Sequence, residues 1–252
     1  MRRAPPRELG SPITLDRVAK VGDTLELGPA QLDRLAAREI NVKEAFTFVD
    51  AAGDSFRASL KAAGGGRGSA LVYEKMAAST ESELRITLVC AVLGRQRMLT
   101  VVQKATELGC VRVAPVLSEH SVKPGELEKE KPWAWPGQAI RAARQCRRAA
   151  LPEVLAAAPL APALEAPWFS GAARRFALDD RAPAGVDPFA GQPRGGDLVL
   201  VVGPEGGWSD AERAKLGAAG AAPIALGARV LRAETAVFAG LAVVQHRLGD
   251  LR

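Results

Sequence analysis

The sequence is poor in metal-binding side chains and in long apolar runs. Three cysteines and two histidines occur in 252 residues. Cys90, Cys110 and Cys146 have no metal-ligand spacing, which argues against a zinc site, and no metal is expected. Cys90 and Cys110 lie in apolar runs and read as buried thiols. The longest apolar stretch, residues 86–93, is far too short to span a bilayer, so no membrane partner is expected. The N-terminus carries Arg2, Arg3 and Arg7 but no apolar signal core, and a reducing cytoplasm is the expected location. The chain also has no G-x-x-x-x-G-K-[ST], and no G-x-G-x-x-G after a strand-like run. That argues against a nucleotide triphosphatase or a dinucleotide enzyme.

The composition is that of a chain with a substantial core. Apolar residues make up 48%, enough for two modest domains or one large one. A net charge of +6 favours a polyanionic partner. The pattern changes near residue 80. Before it, short strand-like pieces at 24–27, 46–49, 56–60 and 70–73 are separated by turn signals, which suggests a small β-rich module. Residues 61–69 hold four glycines and read as a flexible loop or hairpin tip, and 78–83 as a linker. After it, residues 86–93 read as a buried strand. Met98, Val101, Val102, Ala105 and Leu108 then recur at helical spacing, and Gly109 supplies a stop. Residues 111–117 are strand-like again, so a βαβ unit and a parallel sheet are expected.

Two glycine-bearing segments carry the chemistry. Gly203, Pro204, Glu205, Gly206 and Gly207 follow the apolar run 198–202. Ser209 and Glu212 then have the spacing of a capping box, so a helix is expected to start there. The segment from Leu226 and Gly227 to Leu231, Arg232, Glu234 and Thr235 follows the run 223–226 and leads into a helical pattern over 233–248. Strand ends that turn through glycine into helices are where open α/β sheets bind ligands. A site built mainly from main chain is expected, with Glu205, Arg232 and Glu234 as its few charges. No lysine lies in or beside the first loop. Taken singly, each loop reads equally well as an ordinary sheet-to-helix turn.

Together the two segments resemble the signature of the bacterial small-subunit ribosomal RNA uridine-N3 methyltransferases, of the SPOUT superfamily. Two further blocks agree: Gln103, Lys104, Ala105, Thr106, Glu107, Leu108 and Gly109 with Pro115, Ser118 and Glu119; and Gln145, Cys146 and Arg148 with Leu151, Pro152, Glu153 and Val154. The resemblance implies an α/β fold. A PUA-like RNA-binding β-barrel over residues 1–80 would precede a methyltransferase domain over 81–252, with a parallel sheet tied in a deep trefoil knot. It implies S-adenosylmethionine as cofactor, held by loops around Leu178, Gly203, Glu205, Gly206, Gly207, Leu226, Gly227, Leu231, Arg232 and Thr235. It also implies a homodimer, for which Val237, Leu241, Val244 and Leu248 offer a stripe that packs either on a partner or within its own domain.

For the RNA, small-subunit ribosomal RNA or the assembled subunit, Arg141, Arg144, Arg147 and Arg148 are the main candidates. A helix over 138–150 would put Arg141, Arg144 and Arg148 on one face, able to neutralise phosphates. Arg2, Arg3 and Arg7 form a second basic cluster or a disordered tail. Uridine N3 must lose a proton before it attacks a methyl group, and the negative charge then falls on O2 and O4. Arg232 is the candidate to stabilise that charge, the alternative being a salt bridge to Glu205 or Glu234. Glu234, or Glu205, is the candidate acceptor of the proton. The chain departs from the family pattern in having Arg144 where a glutamate is expected and His120 where an arginine is expected. The barrel's Val-Leu-Arg element has only Leu35, Ala36, Ala37 and Arg38 as a remnant. A SPOUT enzyme for another RNA position, and a catalytically silent RNA-binding or assembly factor, remain as alternatives.

Overall fold

Alternation along the early strands builds the first sheet. In β2 (Thr24–Leu27), Leu25 and Leu27 are buried while Thr24 and Glu26 are exposed, as a pleated strand with one covered face requires. The computed structural model describes residues 10–182 and 187–251, so Arg2, Arg3 and Arg7 lie outside the described residues. β1 (Ile13–Thr14), β3 (Ala45–Val49), β4 (Ser55–Gly64) and β5 (Arg67–Lys75) complete a five-stranded sheet of order β1-β3-β4-β5-β2. It is antiparallel except where β1 pairs with β3. Of the two readings of residues 61–69, the structure has the hairpin tip. These residues are mostly the end of a long β4–β5 hairpin, and only Gly65 and Gly66, with φ of +56° and +74°, make its turn. Phe48 and Phe56 stack at 5.5 Å in the core beneath. Leu35, on the short helix α1 (Pro29–Ala37), is buried in the same core.

The chain leaves this unit after residue 81 and returns to it for residues 139–153. The returning segment is held by buried polar contacts. Arg148 is 7% exposed, and its Nη2 donates to Glu81 Oε2 at 2.6 Å. The other oxygen of Glu81 accepts the backbone N–H groups of Ala149 (2.9 Å) and Ala150 (3.1 Å). Thr47 Oγ1 donates to the Arg147 carbonyl at 2.8 Å. Arg38 Nη2 donates to the carbonyls of Ser11 (2.6 Å) and Ala149 (2.9 Å). Burial, with Arg34 nearby, lowers the Arg38 guanidinium to about 10, and it stays charged at neutral pH.

The second unit is the α/β part. Its sheet contains β6 (Leu84–Ala91), β7 (Arg112–Leu117), β8 (Glu153–Val154), β9 (Ala158–Pro159), β10 (Arg174–Leu178), β11 (Gly196–Val202) and β12 (Ala222–Ile224). The order is β12-β10-β11-β6-β7-β8, with β9 also on β7. The β6–β7, β6–β11, β10–β11, β10–β12 and β7–β9 pairs are all parallel. Strands covered on both faces need no alternation, and β6 is buried at seven of its eight positions, all but Arg85. On α2 (Arg95–Glu107), Met98, Val101, Val102 and Ala105 are buried, and Gly109 at φ +82° follows the helix end as expected.

Two expectations change. The helix expected over 138–150 is α3 (Trp135–Gln145), which stops earlier; Arg147 then takes φ +64°. Arg148 therefore does not continue a helical face with Arg141 and Arg144. The remaining helices are α4 (Leu160–Glu165), α5 (Pro167–Ser170), α6 (Asp210–Ala218) and α7 (Ala233–Leu248). On α7 the stripe of Val237, Leu241, Val244 and Leu248 is buried within its own unit, which packs α7 on α2, β6 and β11. That stripe is not available to a partner. Among the described residues no helix is long and apolar enough to cross a membrane.

The Arg148–Glu81 pair gives a stability prediction. Glu81→Ala removes the carboxylate that pairs with a buried guanidinium and accepts two N–H groups, and is expected to cost about 3 kcal/mol in urea unfolding. Arg85→Ala breaks an ion pair to Asp197 whose partners are 58% and 47% exposed, and is expected to change stability by less than about 1 kcal/mol.

Candidate active site

Parallel strands end on the same side of their sheet, and loops leaving that edge meet there. The loops after β7, β10, β11 and β12 do so here and line one cavity of about 430 Å³, within the ~300–1,000 Å³ usual for small-molecule sites. The β11 loop turns tightly through its glycines. The Gly207 N–H closes a turn on the Pro204 carbonyl at 2.9 Å, with Gly207 itself at φ +67°. A Cβ on Gly206 would lie 2.9 Å from the Cβ of His120, so only glycine lets the two loops approach this closely.

The expected capping box is formed. Ser209 caps α6, its Oγ accepting the Glu212 N–H at 3.3 Å while Glu212 Oε2 accepts the Ser209 N–H at 3.0 Å. The other Glu212 oxygen accepts the N–H of Glu119 at 2.9 Å, joining the β7 loop to the same helix start. Next to Glu119, His120 Nδ1 lies 3.2 and 3.1 Å from the carbonyl oxygens of Gly206 and Gly207.

Leu178, Gly203, Glu205, Gly206, Gly207, Leu226, Gly227 and Leu231 all line the cavity. Arg232 and Thr235 are exposed and outside the lining, although Leu231 and Ala233 on either side of Arg232 belong to it. The salt bridge considered for Arg232 is not formed: among the described residues it pairs with neither Glu205 nor Glu234. Glu205 pairs instead with Arg97 in the first turn of α2. Glu234 is half-buried in the first turn of α7, and its Oε2 is buried without a hydrogen-bond partner.

An ionic cluster at the cavity was not expected from the sequence. Arg213 Nε donates to Asp179 Oδ2 at 2.8 Å, and Arg181 to Asp210 at 2.8 Å. All four residues line the cavity. The available signal was positional, since Asp179 and Asp180 directly follow the strand ending at Leu178. Burial works against the charged form of Asp179. The Arg181 N–H and the Arg213 guanidinium outweigh it and hold the carboxyl below its usual range.

The arginines named for RNA contact belong to the other unit and are largely engaged there. Arg144 pairs with Glu44 at 2.5 Å and Arg147 with Glu74 at 3.4 Å, while the guanidinium of Arg148 is buried against Glu81. Arg141 is exposed. Arg148, beyond the end of α3, does not share a helical face with Arg141 and Arg144. Among the described residues no group of three or more His, Cys, Asp or Glu side chains is arranged to hold a metal ion.

Residues 80–245 match the RNA methyltransferase domain family, which gives the class of protein. Ribosomal RNA small subunit methyltransferase E of Synechocystis sp. is 30% identical over 237 residues, covering 89% of this chain and 74% of that protein. The protein of the same name from Buchnera aphidicola is 30% identical over 184 residues, 72% of this chain and 73% of its own. The crystal structure of ribosomal RNA small subunit methyltransferase E from Neisseria gonorrhoeae bound to S-adenosyl methionine matches with a TM-score of 0.67 at 28% identity, covering 96% of this chain and 100% of that one. The chain belongs to the ribosomal RNA small subunit methyltransferase E family of SPOUT proteins.

A carboxyl whose pKa is depressed on folding adds stability above its unfolded value and loses it as pH falls. Asp179 should therefore contribute to an acid loss of stability beginning near pH ~4. Urea unfolding at stepped pH is expected to show a shallower acid limb in Asp179→Asn, with lower stability at pH 7.

Proposed function

We propose that this chain transfers the methyl group of S-adenosylmethionine to N3 of a uridine in small-subunit ribosomal RNA. The observation that carries this is the convergence of both glycine segments on one cavity, in a chain belonging to that methyltransferase family. The cavity suits such a cofactor. Its lining includes the glycine-bearing β11 and β12 loops, whose exposed backbone groups suit the adenine, ribose and amino-acid ends of the molecule. Trp208 Nε1 is buried in that lining without a partner, a donor left over for a ligand. Leu178, Gly203, Glu205, Gly206, Gly207, Leu226, Gly227 and Leu231 would hold it, with Arg232 and Thr235 beside them. When bound, the sulfonium supplies an activated methyl group.

The protein's own contribution is positioning and charge. Rigid loop walls hold the acceptor in line with the methyl group, which is where most of the rate in such transfers arises. Arg232, exposed and paired with neither glutamate, stabilises the negative charge on the uridine O2 and O4. Glu234 belongs to the same catalytic set, as a carboxylate at the N-terminus of α7. Uridine N3 is hidden in paired RNA, so the target base is unpaired or flipped out. The same proposal includes a PUA-like RNA-binding barrel built on the five-stranded sheet, a trefoil knot through the loops of the parallel sheet, a homodimer and a cytoplasmic location. Arg141, Arg144, Arg147 and Arg148 are its proposed RNA-contacting arginines, Arg141 and Arg147 being exposed.

The test is methylation of small subunits, or of naked ribosomal RNA, from a strain lacking the gene, with labelled S-adenosylmethionine and mass spectrometry of the nucleosides. Label is expected in 3-methyluridine, and Arg232→Ala is expected to lower kcat by ~100-fold or more. Label in another nucleoside, or in neither RNA, overturns the proposal.

A further inference from the structure

The N3 proton needs an acceptor, and the carboxylates of the glycine loop and α6 are already engaged. Glu205 is paired with Arg97, and both oxygens of Glu212 accept backbone N–H groups. Glu234 keeps an unpartnered oxygen, but that oxygen is buried and the residue does not line the cavity. His120 differs. Its Nδ1 lies within hydrogen-bond distance of two carbonyl oxygens, those of Gly206 and Gly207. Carbonyl oxygens only accept, so Nδ1 must carry the hydrogen. In the neutral ring the lone pair then resides on Nε2. The arrangement is built into the loops, because the Gly206 backbone leaves no room for a Cβ against His120. His120 itself is exposed and lines the cavity.

The geometry points to His120 as the general base of this site, its Nε2 taking the proton of the acceptor uridine; this rests on the uridine-N3 function proposed above. In the step, the N3–H bond breaks and the proton moves to Nε2. The freed lone pair on N3 forms the N–CH3 bond as the S–CH3 bond breaks, and that electron pair returns to sulfur. The imidazolium then gives its proton to water. The charged groups around the ring are Glu119 and Lys123 on its own loop, Glu205 with Arg97, and Glu212 and Arg213 from α6. Lys123 donates to the Glu119 carbonyl at 2.6 Å. An imidazole accepts a proton only in its neutral form, and the side chain type changes charge between pH 5 and 8.

His120 and His246 are the two histidines of the chain, which makes the test clean. Nitrogen NMR of the full-length protein labelled at histidine, without cofactor, is expected to show His120 as the Nδ1–H tautomer. In turnover on small subunits, kcat is expected to fall on the acid side with a single ionisation. His120→Gln and His120→Arg are expected to lose ~100-fold or more in kcat, together with that acid limb. Binding of S-adenosylmethionine and thermal melting should stay near wild type, and His246→Gln should keep the wild-type profile. An Nε2–H tautomer overturns the inference, as does a His120→Gln or His120→Arg enzyme that still makes 3-methyluridine with the acid limb intact. A wild-type product other than 3-methyluridine overturns both the inference and the function beneath it, and so separates the two failures.

Discussion

The carboxylate of Glu212 is the interaction on which the site depends. It is 7% exposed, and it caps α6 with one oxygen while holding the Glu119 N–H with the other. Buried carboxylates are costly unless each lone pair is used, so this group is stable only where the β11 and β7 loops meet. Helix start, glycine loop and histidine loop are thereby fixed against one another. The contact between His120 and the Gly206 and Gly207 carbonyls then follows from the backbone positions. A ligand enters walls that are already assembled, with little ordering left to do.

Much of this was legible in the sequence because its signals are local. Ser209 and Glu212 announce a helix start three residues apart, and the structure has it. Val101, Val102 and Ala105 announce a buried helical face, which α2 has. The glycine segments announced strand-end loops, and eight of the residues named from them and from the Leu178 loop line one cavity. What escaped depends on partners distant in sequence. The arginine stripe looked like a free basic face, yet Glu44, Glu74 and Glu81 lie some 70 to 100 residues away along the chain and neutralise three of its members. Periodicity also overran the end of α3, because alanines on either side of residue 145 suit a helix equally well; Arg147 at positive φ breaks it. The Asp179–Arg213 pair could not be read at all, since its partners are separated by 34 positions.

Charge is used in opposite ways in the two units. In the five-stranded unit, buried arginines are structural: Arg38 and Arg148 bind carbonyls and a carboxylate, and tie the returning segment 139–153 to the sheet. In the parallel-sheet unit, paired charges surround the cavity, whereas Arg232 stands apart from the two glutamates nearest to it in motif. A positive net charge is therefore a poor guide to which arginines meet RNA.

The central claim is that the cavity at the carboxyl edge of β10, β11 and β12 is the methyl-donor site. The most direct test is a crystal structure of the full chain soaked with S-adenosylmethionine. Cofactor density between the Gly203–Gly207 and Leu226–Leu231 loops, with the Trp208 indole N–H bonded to it or through water, is the predicted result. Density elsewhere, or an empty cavity at cofactor concentrations that saturate binding in solution, would contradict the account.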